Sequence, residues 1–331
     1  MSDALWWLAL AGLACVGATC GSFLNVVIYR VPRSMSIAYP HSRCPQCAHV
    51  IYPSDNIPIV SWFWLRGRCR HCRRDISLRY PAMEALAMLM FLVVGLRHIF
   101  LIGRPDHRVW SAASWLLDHP DRWVWYAAHM VLLLTVLSAA CIAREGIGVP
   151  LRLMLPATLV GCTVTASAEA LATWARRGVP LAVPAVGSVS AWQAAGLGLA
   201  VGAWLAAWAQ WAYPDGAGPP GMRRSGIAAG ALAGLYLGPW WAIFTLFVTS
   251  LLQRGRVYVA PDWRAAYGEW MMWLLAVTLV VVLLHGPQGP STRLDSPLRL
   301  EVATVIATVV ITAMAMANRR SQLPIVDPAS A

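Results

Sequence analysis

Long apolar stretches separated by short polar ones run along most of this chain. The first, from Ala4 to about Ile28, is long enough to cross a bilayer as a helix that rises about 1.5 Å per residue. The pattern predicts an all-α polytopic membrane protein. Eight spans are expected, at residues 4–28, 83–102, 123–142, 156–174, 191–213, 227–252, 270–285 and 302–317.

The same pattern divides the chain into three parts. Residues 1–28 are predicted to be the first transmembrane helix, residues 29–82 a polar loop, and residues 83–331 a membrane domain with seven further helices. The composition agrees, because 58% of the residues are hydrophobic and only 12% are charged. The net charge of +11 does not indicate nucleic-acid binding. Its arginines lie in short loops beside apolar stretches, where they set topology and contact membrane lipids.

The arginines also predict the orientation of the chain. The loop at residues 29–82 contains nine of them. With eight spans, the odd-numbered loops together contain 15 arginines, against 11 elsewhere in the chain. The positive-inside rule therefore places the first loop in the cytoplasm and both termini on the other side. Four arginines oppose this assignment: Arg176, Arg177, Arg319 and Arg320.

Four cysteines in the first loop predict a metal site. Cys44 and Cys47 form one CxxC pair, and Cys69 and Cys72 form a second about twenty residues later. This is the spacing of a zinc-ribbon-like Cys₄ site, in which each pair forms a knuckle around a structural zinc ion. Two disulfides, which would need an oxidising compartment, and four free thiols are the alternatives. Three nearby histidines offer replacement ligands: His41, His49 and His71.

The residues around these cysteines also resemble a known family. The segments that carry the resemblance lie within one continuous stretch of about sixty residues and read GSFLNVVIYRVP, CPQC, DNIPIVSWFWLRGRC, CRHC and ISLRYPAMEAL. They resemble type IV prepilin peptidases, the leader peptidase/N-methyltransferases of pilus assembly and type II secretion. The resemblance implies an aspartic protease of the bacterial inner membrane, which cuts the prepilin leader after a glycine. It also implies methylation of the new N-terminus with S-adenosylmethionine, although no glycine-rich nucleotide motif is present.

The family's two catalytic aspartates are not found at the matching positions. The first lies at the end of a helix and is followed by a Pro-Asp pair. Here Ala143 occupies the position of this catalytic aspartate, and Leu151 occupies the position of the aspartate in the Pro-Asp pair. The second belongs to a Gly-x-Gly-Asp motif, for which this chain has Gly221, Met222, Arg223 and Arg224. Alanine transfers no proton, and arginine stays protonated at neutral pH. The alignment therefore predicts a peptidase site without its acids.

Other carboxylates are candidate substitutes. Glu145 follows Ala143 by two residues, and Asp215 precedes Arg224 by nine. Each also has a structural explanation, since Glu145 can pair with a loop arginine and Asp215 lies in a Pro/Gly-rich turn. Glu169 stands inside an apolar stretch, where a carboxylate either faces a cavity or partner or reaches the interface from a helix end.

Two functional hypotheses follow. In the first, the chain is a prepilin peptidase-like scaffold without peptidase activity, which binds prepilins, pseudopilins or assembly proteins. In the second, it is an active peptidase that uses displaced acids, or a methyltransferase that acts on pilins already cleaved by another enzyme. A second homologue with both aspartates in the same genome would favour the first hypothesis. Its absence would favour the second.

Overall fold

Helices account for nearly all of the regular structure. A computed structural model of the protein describes residues 2–100, 120–165, 191–211, 221–257 and 263–285. Within these ranges there is no β-strand, and only two isolated bridges occur, Arg43 with Val50 and Arg68 with Asp75. The predicted all-α class is therefore confirmed for the described part of the chain.

Eight α-helices lie in the described ranges. We number them in chain order. They are α1 (Ser2–Arg30), α2 (Val60–Trp64), α3 (Arg79–Gly95), α4 (Pro120–Arg144), α5 (155–165), α6 (Ala191–Trp211), α7 (Met222–Val257) and α8 (Trp263–His285). A π-helical turn continues α3 through Leu96–Phe100, and single 3₁₀ turns lie at Pro53–Asp55 and Leu151–Leu153.

Three helices are long and apolar enough to cross a membrane. They are Trp7–Arg30, Arg79–His98 and Trp123–Arg144, which correspond to the first three predicted spans. Shorter apolar helices occupy Leu151–Thr165, Ala195–Ala207 and Tyr267–Leu283. The count of eight spans is not confirmed by these helices. The predicted eighth span, residues 302–317, lies outside the described residues, as does the end of the fourth.

The last described helix begins earlier than its sequence suggests. The polar residues before Trp270 predict a loop, but α8 starts at Trp263. Charged residues are tolerated in a first helical turn, where they lie outside the apolar part of the helix. This difference matters because Tyr267 and Gly268, in the second turn, are both buried.

The described residues form two compact units, divided after Gly95. In the first unit, α1 and α3 pack at glycines of α1. A Cβ atom on Gly17 would lie 2.8 Å from the Cα of Met88, and one on Gly21 would lie 2.6 Å from the Cα of Glu84. This close approach holds together the two ends of the loop at residues 31–78, which carries α2 and the four cysteines.

In the second unit, α6 and α7 touch backbone to backbone. A Cβ atom on Gly230 would lie 2.7 Å from the carbonyl oxygen of Gly202, and one on Gly234 would overlap the carbonyl of Gly198. Small residues spaced four apart on both helices permit this contact, as in many membrane helix pairs. Helix α8 packs against α4 and α7.

Gly234→Leu is expected to separate α6 from α7, because the added side chain has no room beside the Gly198 backbone. Overpacking of this kind costs about 1–3 kcal/mol or more. The control is Gly196→Leu, also in this helix pair, where a Cβ atom meets nothing within 4 Å. Thermal unfolding in detergent should show a lower Tm for the Gly234 variant alone. Equal midpoints for both variants would contradict the packing described here.

Candidate metal centre and the matching catalytic positions

Two backbone turns of the same design present the four cysteines. In the first, the Cys44 N–H donates to the carbonyl of His49, and the Ala48 N–H donates to the carbonyl of Cys44. The second repeats both bonds 25 positions later, from Cys69 to Arg74 and from Arg73 to Cys69. Each turn is closed by one of the isolated bridges. The two turns thus have the paired arrangement of knuckles that the CxxC pairs predict.

One residue in each knuckle has left-handed backbone geometry. Ala48 has φ 56° and Arg73 has φ 60°, and both follow the second cysteine of their pair. Glycine is the residue that adopts this conformation at least cost. This chain has alanine and arginine at these two positions. The hydrogen bonds of each knuckle and the cysteine side chains at its centre therefore hold the backbone in this conformation.

The four sulfur atoms converge as a tetrahedral metal site requires. The Sγ atoms of Cys44, Cys47, Cys69 and Cys72 all lie within 4.8 Å of one another, with those of Cys44 and Cys72 3.9 Å apart. Zn–S bonds of about 2.3 Å in a tetrahedron place sulfurs about 3.8 Å apart. None of the four is in a disulfide, so that alternative is not supported. The donor set and its spacing fit zinc.

The electrostatics of two of these thiols differ. Burial raises the pKa of Cys44 to about 11, whereas N–H groups of Cys72 and His71 lower the pKa of Cys69 to about 7. Backbone N–H groups favour a thiolate because they donate to its charge. A metal ion favours the deprotonated form of every cysteine it binds, including the buried Cys44.

The histidines near the cysteines do not join the converging set. Within the described residues, the group that can hold a metal consists of the four cysteines alone. The rings of His49 and His71 stack on each other with centroids 3.8 Å apart, so they join the two knuckles. The ring of His41 lies against Tyr39 instead.

Polar contacts fix the rest of the loop to the knuckles and to both helices. The Arg70 guanidinium binds both carboxylate oxygens of Asp55, at 2.6 and 2.7 Å, and lowers the pKa of that acid. The Asn25 side chain in α1 donates to the carbonyl of Tyr80, although at 3.4 Å. Buried Glu84 in α3 accepts the N–H of Ile59 at 2.6 Å. Asn25 therefore joins α1 to the first turn of α3, and Glu84 joins α3 to the loop backbone at Ile59.

Glu84→Ala is expected to loosen α2, because the Ile59 N–H would lose its acceptor in a part-buried position. An unsatisfied buried donor costs about 1–3 kcal/mol. Hydrogen exchange of residues 59–65 should accelerate in this variant. Glu84→Gln is the matched control, since its amide oxygen can still accept the bond. Similar exchange in the alanine variant and the wild type would show that Glu84 does not hold this segment.

The two positions that the sequence analysis aligned with the family's aspartates lie at two helix ends in the second unit. Ala143 is fully buried near the end of α4, and Arg224 is exposed in the first turn of α7. Helix α8 contacts both ends. A Cβ atom on Gly268 would lie 3.2 Å from the Ala143 carbonyl oxygen, and the Tyr267 hydroxyl is 2.6 Å from the Ser225 Oγ. One turn of α8 therefore contacts the Ala143 backbone and Ser225, the residue that follows Arg224.

The contacts of Tyr267 with Ser225 and of Gly268 with Ala143 are not evident from the sequence, because the segment before Trp270 has the composition of a loop. Of the candidate substitute acids, Glu145 follows α4 directly and is half-buried. Its N–H donates to the carbonyl of Ile142. Asp215 and Glu169 lie outside the described residues. The structure therefore places Glu145 next to the end of α4, and it does not test whether Glu145 and Asp215 could act as a pair.

Comparison with known proteins agrees with the loop geometry. Residues 15–98 match the family described as the Bacterial Peptidase A24 N-terminal domain. Over 76 residues the chain is 55% identical to a prepilin leader peptidase/N-methyltransferase of Myxococcus xanthus, and this match covers 23% of each protein. Over 128 residues it is 37% identical to a protein of the same name from Pectobacterium carotovorum, covering 32% of this chain and 43% of that relative.

An Escherichia coli protein named type 4 prepilin-like proteins leader peptide-processing enzyme is 39% identical over 128 residues. That match covers 33% of this chain and 43% of the relative. The chain thus matches less than half the length of each of these three curated relatives. No solved structure matches it. The family match includes both knuckles, Asn25 and Glu84, and it ends before the positions of Ala143 and Arg224. Residues 15–98 of this chain are therefore similar to the bacterial peptidase A24 N-terminal domain, and parts of the chain are similar to prepilin leader peptidase/N-methyltransferases.

Proposed function

We propose that this chain is a prepilin-binding member of the prepilin peptidase family, in the bacterial inner membrane, whose peptidase activity has been lost. The observation that supports the proposal is the identity of the two residues that align with the family's aspartates. Ala143 and Arg224 stand where an aspartic peptidase needs two carboxylates, one charged to activate water and one protonated to polarise the carbonyl. Neither side chain can take either part.

The contacts within the N-terminal domain support the proposal that the chain still binds a partner. Its knuckles, its Asp55–Arg70 pair and the Glu84 bond to the loop are all formed. We place this domain in the cytoplasm on the arginine distribution, with Cys44, Cys47, Cys69 and Cys72 around a structural zinc. Zinc here fixes the two knuckles relative to each other and supplies no chemistry to a substrate. The partners would be prepilins, pseudopilins or proteins of pilus assembly and type II secretion.

The test is leader cleavage of a prepilin from the same genome in membranes that contain only this protein. We expect no cleavage, and we expect the prepilin to co-purify with the detergent-solubilised chain. Cleavage by the wild type would refute the proposal and favour the displaced acids. Glu145→Gln and Asp215→Asn would then show whether those residues act. Methyl transfer from S-adenosylmethionine to a pre-cleaved pilin is assayed separately, because that activity rests on the family resemblance alone.

A further inference from the structure

Helix α2 has an unusual distribution of apolar side chains. Val60, Phe63 and Trp64 occupy positions i, i+3 and i+4 and so share one face. They are 54%, 67% and 79% exposed. The other side of the helix faces the loop domain, where Ser61 is 6% exposed and hydrogen-bonded to Ser54, and the Trp62 ring N–H donates to Ile76. A short helix of a soluble domain normally has the reverse arrangement.

The position of α2 along the membrane helices explains this arrangement. The residue just before α2 is Ile59, whose N–H binds Glu84. Glu84 is five residues into α3, which is about 7.5 Å along the helix axis. Because α3 is a candidate membrane span from Arg79 onward, α2 begins at a depth inside the end of that span. Amphipathic helices that lie in a bilayer interface are buried about 5–10 Å into it.

The charges around α2 match an anionic surface. Residues 60–79 contain six arginines and one aspartate, Asp75, which pairs with Arg68. Arg70 pairs with Asp55 outside this range, so four positive charges remain. All six arginines are exposed: Arg66, Arg68, Arg70, Arg73, Arg74 and Arg79. Basic residues beside an inserted apolar face are attracted to anionic lipid headgroups.

We propose that α2 is an interfacial helix, whose Val60, Phe63 and Trp64 side chains enter an anionic bilayer beside α1 and α3. The bilayer covers an apolar face that would otherwise meet water, and Trp64 takes the interfacial position that tryptophan favours. The loop domain is then attached to the membrane surface at a third point, besides its two helical connections. This inference does not depend on whether the chain cleaves or binds prepilins.

The test uses the full chain in nanodiscs made of equal amounts of phosphatidylcholine and phosphatidylglycerol. Trp64→p-benzoylphenylalanine is irradiated, and mass spectrometry identifies what the probe has captured. We expect phospholipid adducts, with a several-fold lower yield in nanodiscs of phosphatidylcholine alone. The matched control is Tyr52→p-benzoylphenylalanine, because Tyr52 is an exposed aromatic residue that lies beside His49 of the first knuckle. It should capture several-fold less lipid.

Adducts from position 64 to another part of this chain, or to a second copy, would overturn the proposal, as would equal lipid yields at positions 52 and 64. Unchanged yields without phosphatidylglycerol would overturn its electrostatic part. A second measurement avoids the probe altogether. Phe63→Ser with Trp64→Ser should keep the metal content of the wild type while amide exchange at residues 60–66 rises several-fold in nanodiscs. Unchanged exchange in a variant that keeps its metal would also contradict the interfacial assignment.

Discussion

Replacing Cys44 and Cys69 together with serine is expected to abolish zinc binding and to unfold the loop at residues 31–78. The two substitutions remove one thiolate from each knuckle, so neither CxxC pair remains complete. Structural zinc sites contribute about 10–16 kcal/mol to the folding of small domains. Apart from the knuckles, the regular structure of this loop consists of one short helix, α2, and one 3₁₀ turn at Pro53–Asp55. Metal analysis of the purified wild type should find about one zinc per chain, and the variant should contain none.

The control for this experiment changes cysteines that lie outside the loop. Cys20→Ser with Cys162→Ser also removes two thiols, but these cysteines lie in α1 and α5 and do not belong to the four-sulfur cluster. That variant should keep its zinc. Proteolysis adds a second readout, since cleavage at the loop arginines should increase only in the Cys44 and Cys69 variant. A wild-type chain purified without metal under chelator-free conditions would show that the cysteines do not form a zinc site.

The four-cysteine cluster could be predicted from the sequence because the residues that form each knuckle are neighbours in the chain. Each knuckle is a short stretch of chain, and the CxxC spacing determines which backbone N–H groups can reach the sulfurs. The apolar pattern likewise predicted the cores of α1, α3 and α4 to within a few residues, since each is one uninterrupted stretch. The count of eight spans stays a prediction, because only three helices in the described ranges meet the length and hydropathy of a span.

Features that depend on distant contacts were not predicted. The start of α8 at Trp263 is one example, because the buried environment of Tyr267 is created by α7 through the bond to Ser225. The outward apolar face of α2 is another. Its residue pattern alone would fit a helix packed on a domain core, and only the bonds of Ser61 and Trp62 show which side faces inward.

The second large effect is expected from restoring the acids. The variant Ala143→Asp, Arg223→Gly, Arg224→Asp should cleave a prepilin leader that the wild type leaves intact. Position 143 is fully buried and position 224 is exposed. Two carboxyl groups held close together cannot both ionise, so one keeps its proton while the other activates water, as in an aspartic dyad. Glycine at 223 restores the family's turn and removes a cation that would pair with the new acids.

The gain should require both acids. The variants Ala143→Asp alone and Arg223→Gly, Arg224→Asp alone serve as matched controls, and each should remain silent, since one carboxyl cannot both activate water and polarise the carbonyl. Removing one member of an acting unit typically costs about as much as removing all of it. Zinc content and Tm should match the wild type before any silent result is interpreted.

The outcomes of this comparison distinguish a chain that has lost only its catalytic side chains from one whose helices no longer hold the two positions in a working arrangement. Cleavage by the restored variant would mean that α4, α7 and α8 still hold the two positions at a working separation, so that the chain differs from an active peptidase in its side chains. A folded, zinc-loaded variant that still binds prepilin but does not cut would mean that the helix ends have also moved. The Tyr267–Ser225 bond, which ties α8 to the residue beside position 224, would then be the first contact to remove, by Tyr267→Phe in the restored background. Cleavage regained in that variant would identify the bond as what holds α7 away from the geometry of an active site.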